Sequence, residues 1–251
     1  GVVEGDLVMV HSSMKSFGHV DGGAQTVIDA FEEVLTKTGT LAMPTLVSVD
    51  FRNAYETWYM DKPSDVGYLT EYFRKQMYVY RSDQATHSVA ARGKLAYELT
   101  KEHTAYGPHV CPFGEFAFAD SSPWRKLPKL GGKIVLLGVS TAVNTMKHIL
   151  ESNVSEYFFN LIKDEQKREE QKKKLWYFLH PGPWPYFNTD RMADIFREKG
   201  FLAEADCGPC HIYCMDAQIF LDEGFQILTA EPENWFDEEY CTWYRECMQY
   251  V

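Results

Sequence analysis

The sequence predicts an α/β fold with three αβα layers and a mixed, mostly parallel central sheet. Three observations carry this. Apolar runs at Leu7–Val10, Thr40–Met43 and Lys133–Val139 (KIVLLGV) alternate with helix-period segments, the pattern of a sheet covered on both faces. The runs are continuously apolar, as strands buried on both sides are. A 45% hydrophobic composition over 251 residues can bury one sizeable core. We read 1–251 as one domain with a variable segment around 155–190.

Taken in order, the first strand stops at His11-Ser12-Ser13. A loop bearing Gly18, Gly22 and Gly23 leads into an amphipathic helix from Ala24 to about Thr36, with Gly39 placed to end it. Strand, Gly-rich loop and helix N-terminus together present backbone N–H groups to an anion. The loop has neither GxGxxG nor a lysine-bearing P-loop, so ordinary dinucleotide and nucleoside triphosphate sites fit poorly. Many such turns bind nothing, and the pattern alone leaves phosphate binding open.

After the Thr40–Met43 strand comes a polar, aromatic-rich loop from Ser48 to Asp65, of a length that is often functional. Gly67–Met77 and Arg92–Glu102 read as helices, and KIVLLGV as the clearest buried strand. The run KDEQKREEQKKK (163–174) reads as a solvated helix or loop, and HPGPWPY (180–186) as a rigid loop. A helix at Thr189–Lys199, a strand at His211–Met215 and a helix at Asp216–Glu223 follow. The C-terminal PENWFDEEYCTWYRECMQYV reads as an acidic amphipathic helix used for packing.

The net charge of -11 argues against a nucleic-acid partner and is compatible with a small cationic one. No apolar stretch approaches a membrane span and no signal peptide precedes the first strand. Six cysteines without a secretory signal suit reduced thiols, so a cytoplasmic location is expected. CGPCH (207–211) has the spacing of a redox CxxC and of a haem attachment. A strand-like HIYCM follows it, however, and alternation sends Cys210 and His211 to opposite faces, a poor start for zinc. Structural cysteines are the simpler reading, and no metal is expected.

Thr145, His148 and Glu151 in NTMKHILE are spaced three apart and share a helical face just after the central strand. Ligands in open α/β sheets bind at such strand ends. Histidine titrates near the working pH, and a carboxylate can fix its tautomer and stabilise its cation. On spacing alone, a His–Glu pair serving only stability is the simpler reading.

The blocks GD-LVMVHSS, GGAQTVIDA and GTLAMPT, then GYLTEYFRK (67–75), RSDQATHSVAARG (81–93), SPWRKLPKLGGKIVLLGV (122–139) and NTMKHILE (144–151), resemble the aminoglycoside 3-N-acetyltransferase family in content and order. The final third is similar only loosely. The resemblance implies that family's αβα fold, acetyl-coenzyme A as cosubstrate and a cationic amine as acceptor. It also leads us to expect a helix ahead of GVVEGD, and makes 155–190 a substrate-side segment. It implies that the coenzyme A loop is Ser12, Ser13, Gly22, Gly23 and Ala24, and that Ser88, Val89 and Ala90 line the pantetheine arm.

The NTxxHxxE block implies His148 as general base, supported by Glu151, with Thr145 positioning the thioester or its oxyanion. His87 is the rival base or a cofactor contact. Its block departs from the family's usual His-Pro pair, reading Gln84-Ala85. Asp120, in ADSSP where the family often has a glutamate, is placed to bind a cationic substrate or support the base, or else merely to form a turn before Pro123. No cysteine lies in a matched block, so direct transfer is favoured over an acetyl-cysteine route. The alternatives are an N-acetyltransferase for another amine, such as an amino sugar or amino nucleotide, a coenzyme A binder without activity, and a metal or redox protein built on CGPCH. The aromatic cluster Trp176, Tyr177, Phe178, Trp184, Tyr186 and Phe187 could wall an acceptor pocket or simply pack.

Overall fold

A computed structural model describes residues 1–47, 49–107 and 112–251. Ser48, which opens the expected 48–65 loop, and Pro108 to Cys111 of the YGPHVCPFGEF stretch lie outside the described residues. The described elements run β1 (Leu7–Ser12), α1 (Ala24–Leu35), β2 (Thr40–Pro44), α2 (Phe51–Glu56), α3 (Tyr68–Arg74), β3 (Tyr80–Arg81), β4 (Val89–Gly93) and α4 (Ala96–Thr100). They continue with α5 (Pro123–Lys129), β5 (Lys133–Leu137), α6 (Lys147–Asn160), α7 (Glu165–Lys174), α8 (Thr189–Glu198), β6 (Leu202–Cys207), β7 (Cys210–Asp216), α9 (Ala217–Ala230) and α10 (Glu238–Met248).

The strands form one seven-stranded sheet ordered β3-β4-β2-β1-β5-β7-β6. β1 is parallel to both β2 and β5. The four outer pairings are antiparallel. By direction, β3 and β6 run with the central three, so β4 and β7 alone oppose the rest. Parallel pairs need a crossover such as α1, whereas β6 and β7 are joined by the two-residue turn Gly208-Pro209, with Gly208 at φ +58.

Strand alternation sorts the core into two layers. Leu7, Met9, Ile134 and Leu136 face α5, α6, α9 and α10. Val8, Val10, Leu41, Val135 and Leu137 face the side of α1 and α3. Among the described residues no helix is long and apolar enough to cross a membrane.

Several expectations shift. The expected Arg92–Glu102 helix is shorter, since Arg92 and Gly93 close strand β4 and α4 spans Ala96–Thr100. Arg92 and Gly93 belong to the strand because they pair with Leu41 and Thr40 of β2, a contact the local pattern does not encode. The 48–65 loop contains α2, capped by Asp50, whose carboxylate accepts the Asn53 N–H. Gly39 does not end α1, since Thr36 does so at φ +57. Gly39 instead admits the close approach of β2, where a Cβ would lie 2.7 Å from the Leu35 carbonyl oxygen and 2.9 Å from that of Asp6. β6 shows no apolar run in the sequence because five of its six residues are exposed. α9 runs to Ala230, beyond the expected Glu223. The 163–174 run is helical, with Lys167–Glu170 and Glu169–Lys172 ion pairs on its surface.

Gly93 holds φ +126, and a Cβ there would collide with the Gly39 carbonyl oxygen and lie 2.7 Å from Thr40 Cα. We expect Gly93→Ala to cost about 2–4 kcal/mol through combined strain and overpacking. Thermal unfolding should then move down by about 5–10 °C for a chain of this size. A midpoint within about 1 °C of the parent would contradict this packing.

Candidate active site

β1, β2 and β5 finish at the same edge of the sheet, where open α/β folds place ligands. A cavity of about 460 Å³ opens there. Ser12, Pro44 and Val139 line it from the strand ends, Thr70 from α3, Thr145 from the turn ahead of α6, and His148 from the first turn of α6. His11, His87 and Phe113 line it too, with Leu46 and Phe51 among the apolar residues of the wall.

His148 sits in the first turn of α6 and Glu151 one turn later, so both project from one face. Nδ1 of His148 and Oε2 of Glu151 are 2.7 Å apart. The Glu151 side chain is 1% exposed and that of His148 13%. Among the described residues the second Glu151 oxygen, Oε1, has no hydrogen-bond partner. The same Oε2 accepts the indole N–H of Trp184 at 2.8 Å. With Nδ1 held by Glu151, Nε2 is left to exchange a proton with a ligand. The Phe113 ring lies on the His148 imidazole, with centroids 3.8 Å apart.

Thr145 lines the cavity, and its hydroxyl lies 3.1 Å from Nε2 of His11. The Thr145 N–H also donates to that nitrogen, at 3.3 Å. His11 is buried, its Nδ1 has no partner among the described residues, and burial pulls its pKa down to about 3. It is therefore neutral at working pH and braces Thr145. Nothing in the His11-Ser12-Ser13 pattern announces that role.

His87 also reaches the wall, its ring centroid 6.4 Å from that of His148. It is fully enclosed. Thr86 Oγ1 lies 2.9 Å from its Nδ1, Gln84 Oε1 accepts its backbone N–H, and Trp124 donates to its carbonyl at 2.8 Å. Burial, then the neighbouring His148, push its pKa well below 6.5. Gln84, where the resemblance expects His-Pro, thus staples this turn.

Ser88, Val89 and Ala90 are fully buried and absent from the cavity wall. Ser88 donates to the Thr45 carbonyl at 2.9 Å, behind the wall residues Pro44 and Leu46. Asp120 is likewise off the wall. It pairs with Arg125 at 3.7 Å, and Arg125 in turn reaches Asn153, further along α6 than His148. Gly22 and Gly23 hold φ +77 and +63 and lead into Ala24 at the start of α1, which has no side-chain cap. Of the loop residues, Ser12 reaches the cavity, and Ser13 precedes the turn at Met14–Phe17. None of the described cavity-lining residues is a cysteine, and Cys207 and Cys210 flank the Gly208-Pro209 turn of the β6–β7 hairpin.

The model of one protein family, the aminoglycoside 3-N-acetyltransferases, matches residues 9–229. The chain belongs to that family. The aminoglycoside N(3')-acetyltransferase-like protein YokD of Bacillus subtilis is 26% identical over 228 residues, covering 82% of this chain and 77% of that protein. Aminoglycoside N(3)-acetyltransferase III of Salmonella sp. is 32% identical over 169 residues, 61% of this chain and 56% of that one. The fold is also that of two solved family structures. The apoenzyme of AAC(3)-IVa has a TM-score of 0.69 at 20% identity, covering 100% of this chain and 93% of that one. AAC-IIIb in binary complex with CoASH has 0.63 at 20%, covering 95% and 93%.

His11, His87 and His103 share one consequence. His103 is also buried, with Nδ1 2.8 Å from the Ser82 hydroxyl and Nε2 3.0 Å from the Ala117 carbonyl, and its pKa falls to about 3. Unfolded, each histidine takes a proton near pH 6.5. Folded, none does until much lower pH, so the unfolded state binds more protons and stability falls as pH drops from 6.5. Each should contribute up to about 1.4 kcal/mol per pH unit across that window. Urea unfolding at pH 7.5, 6 and 5 should show steadily falling midpoints. A flat profile would mean these histidines are protonated in the fold.

Proposed function

We propose that the chain is an acetyl-coenzyme A-dependent N-acetyltransferase, acting on the 3-amino group of an aminoglycoside by direct transfer in a ternary complex. The observation that carries this reading is the His148–Glu151 pair on the wall of a cavity at the ends of the parallel strands. Family membership supports the acetyl-transfer chemistry, and the neighbour solved with CoASH supports the cosubstrate. Neighbours of the same fold solved with a gentamicin and with apramycin support an aminoglycoside acceptor.

In this reading Ser12, Ser13, Gly22, Gly23 and Ala24 hold the coenzyme A pyrophosphate at the uncapped N-terminus of α1. The pantetheine arm enters the cavity past Pro44 and Leu46, with Ser88, Val89 and Ala90 supporting that wall from behind. The acceptor amine attacks the thioester carbon, and the carbonyl electrons move onto oxygen near the Thr145 hydroxyl. His148 takes the proton from nitrogen, and Glu151 stabilises the imidazolium. Collapse breaks the C–S bond, and the imidazolium returns its proton to the departing sulfur, leaving the amide and the coenzyme A thiol. His87, buried and neutral, shapes the cavity beside the base.

A second reading keeps the chemistry and changes the acceptor to an amino sugar or amino nucleotide. It is favoured by Asp120, which is paired with Arg125 away from the wall, and by the aromatic surroundings of His148. Thiol release from acetyl-coenzyme A should occur with aminoglycosides. Release with simpler amino sugars alone would select the second reading, and silence with every amine would overturn both. His148→Ala should lower turnover by about 10²–10⁴-fold while coenzyme A binding stays nearly intact. An unchanged rate would remove His148 as base.

A further inference from the structure

We infer that Trp184 is a positioning residue for the His148–Glu151 pair, acting from the HPGPWPY loop through a hydrogen bond to the buried carboxylate. The inference rests on His148 being the base. Glu151 is 1% exposed, and its Oε2 receives two donors, Nδ1 of His148 at 2.7 Å and Nε1 of Trp184 at 2.8 Å. Among the described residues its Oε1 has no partner, and no lysine or arginine pairs with the carboxylate. A carboxylate removed from water in this way depends on those two donors. Trp184 therefore fixes which way the carboxylate faces, and so the orientation of the imidazole.

The indole is itself held in place. Trp184 is 5% exposed and lies edge-on to Phe113, the ring that rests on His148. Its loop approaches the end of α7 so closely that a Cβ on Gly182 would lie 2.7 Å from the Leu175 carbonyl carbon and 2.8 Å from Trp176 N. The Trp176 N–H donates to the Pro183 carbonyl at 3.1 Å, fastening the residue before Trp184. The geometry thus makes the 180–186 loop part of the base's support.

Trp184→Phe removes the donor and keeps most of the ring. Without that donor the His148–Glu151 pair holds a proton more tightly, so the acid limb of the kcat/KM profile moves to higher pH. The limiting kcat should fall by about tenfold, as for losing a hydrogen bond to a charged group. In a double-mutant cycle with Glu151→Ala, which leaves no acceptor for the indole N–H, Trp184→Phe should have almost no further effect on kcat. An unmoved acid limb, or an undiminished loss in the Glu151→Ala background, would assign Trp184 to packing and overturn the inference. Full activity of His148→Ala would instead overturn the base assignment, so the two failures are separable.

Discussion

A carboxylate sealed from water is the constraint around which this site is organised. Burying Glu151 without donors would cost several kcal/mol, so its two hydrogen bonds are obligatory rather than decorative. The bond to His148 fixes the tautomer. That to Trp184 ties the carboxylate to a loop far along the chain. The remaining requirement is that α6 stay still, and the core supplies this. Ile149, Leu150 and Val154 are buried against the sheet side of α6, and Gly224 of α9 leaves room for the Leu150 side chain.

The sheet explains why the cavity lies where it does. β1 is flanked by parallel partners, and the three chains leave the sheet at one edge in different directions. One goes through the Gly22-Gly23 turn into α1, another past Pro44, and the third past Val139 into α6. Divergence opens the crevice, and buried neutral histidines line part of it. His11 braces Thr145, Thr86 holds His87 and Glu151 holds His148, so these polar groups of the wall have protein partners before any ligand arrives.

Much of this is legible in the sequence. The three central strands, α1 and the His148–Glu151 face follow from continuous apolar runs and a three-residue spacing, both local signals, whereas Thr145 lies in the turn ahead of that helix. The expected helix starts too early, at Arg92, because Arg92 and Gly93 are held in β4 by pairing with β2, which no local pattern shows. β6 leaves no such signal because its side chains face solvent. His11 and Trp184 are illegible for a different reason. Their partners lie 134 and 33 residues away in sequence, and no pattern within either segment encodes a contact made across the fold. The Ser88–Ala90 block, expected to line the cofactor arm, is buried and off the cavity wall, where Pro44 and Leu46 stand instead, because strand burial is set by pairing with β2.

The most direct test is a crystal structure of this protein with coenzyme A bound. The pyrophosphate is expected at the N–H groups following Gly23, and the sulfur inside the cavity beside His148 and Thr145. Coenzyme A lying elsewhere on the protein, or with its sulfur pointing away from His148, would contradict the proposed chemistry.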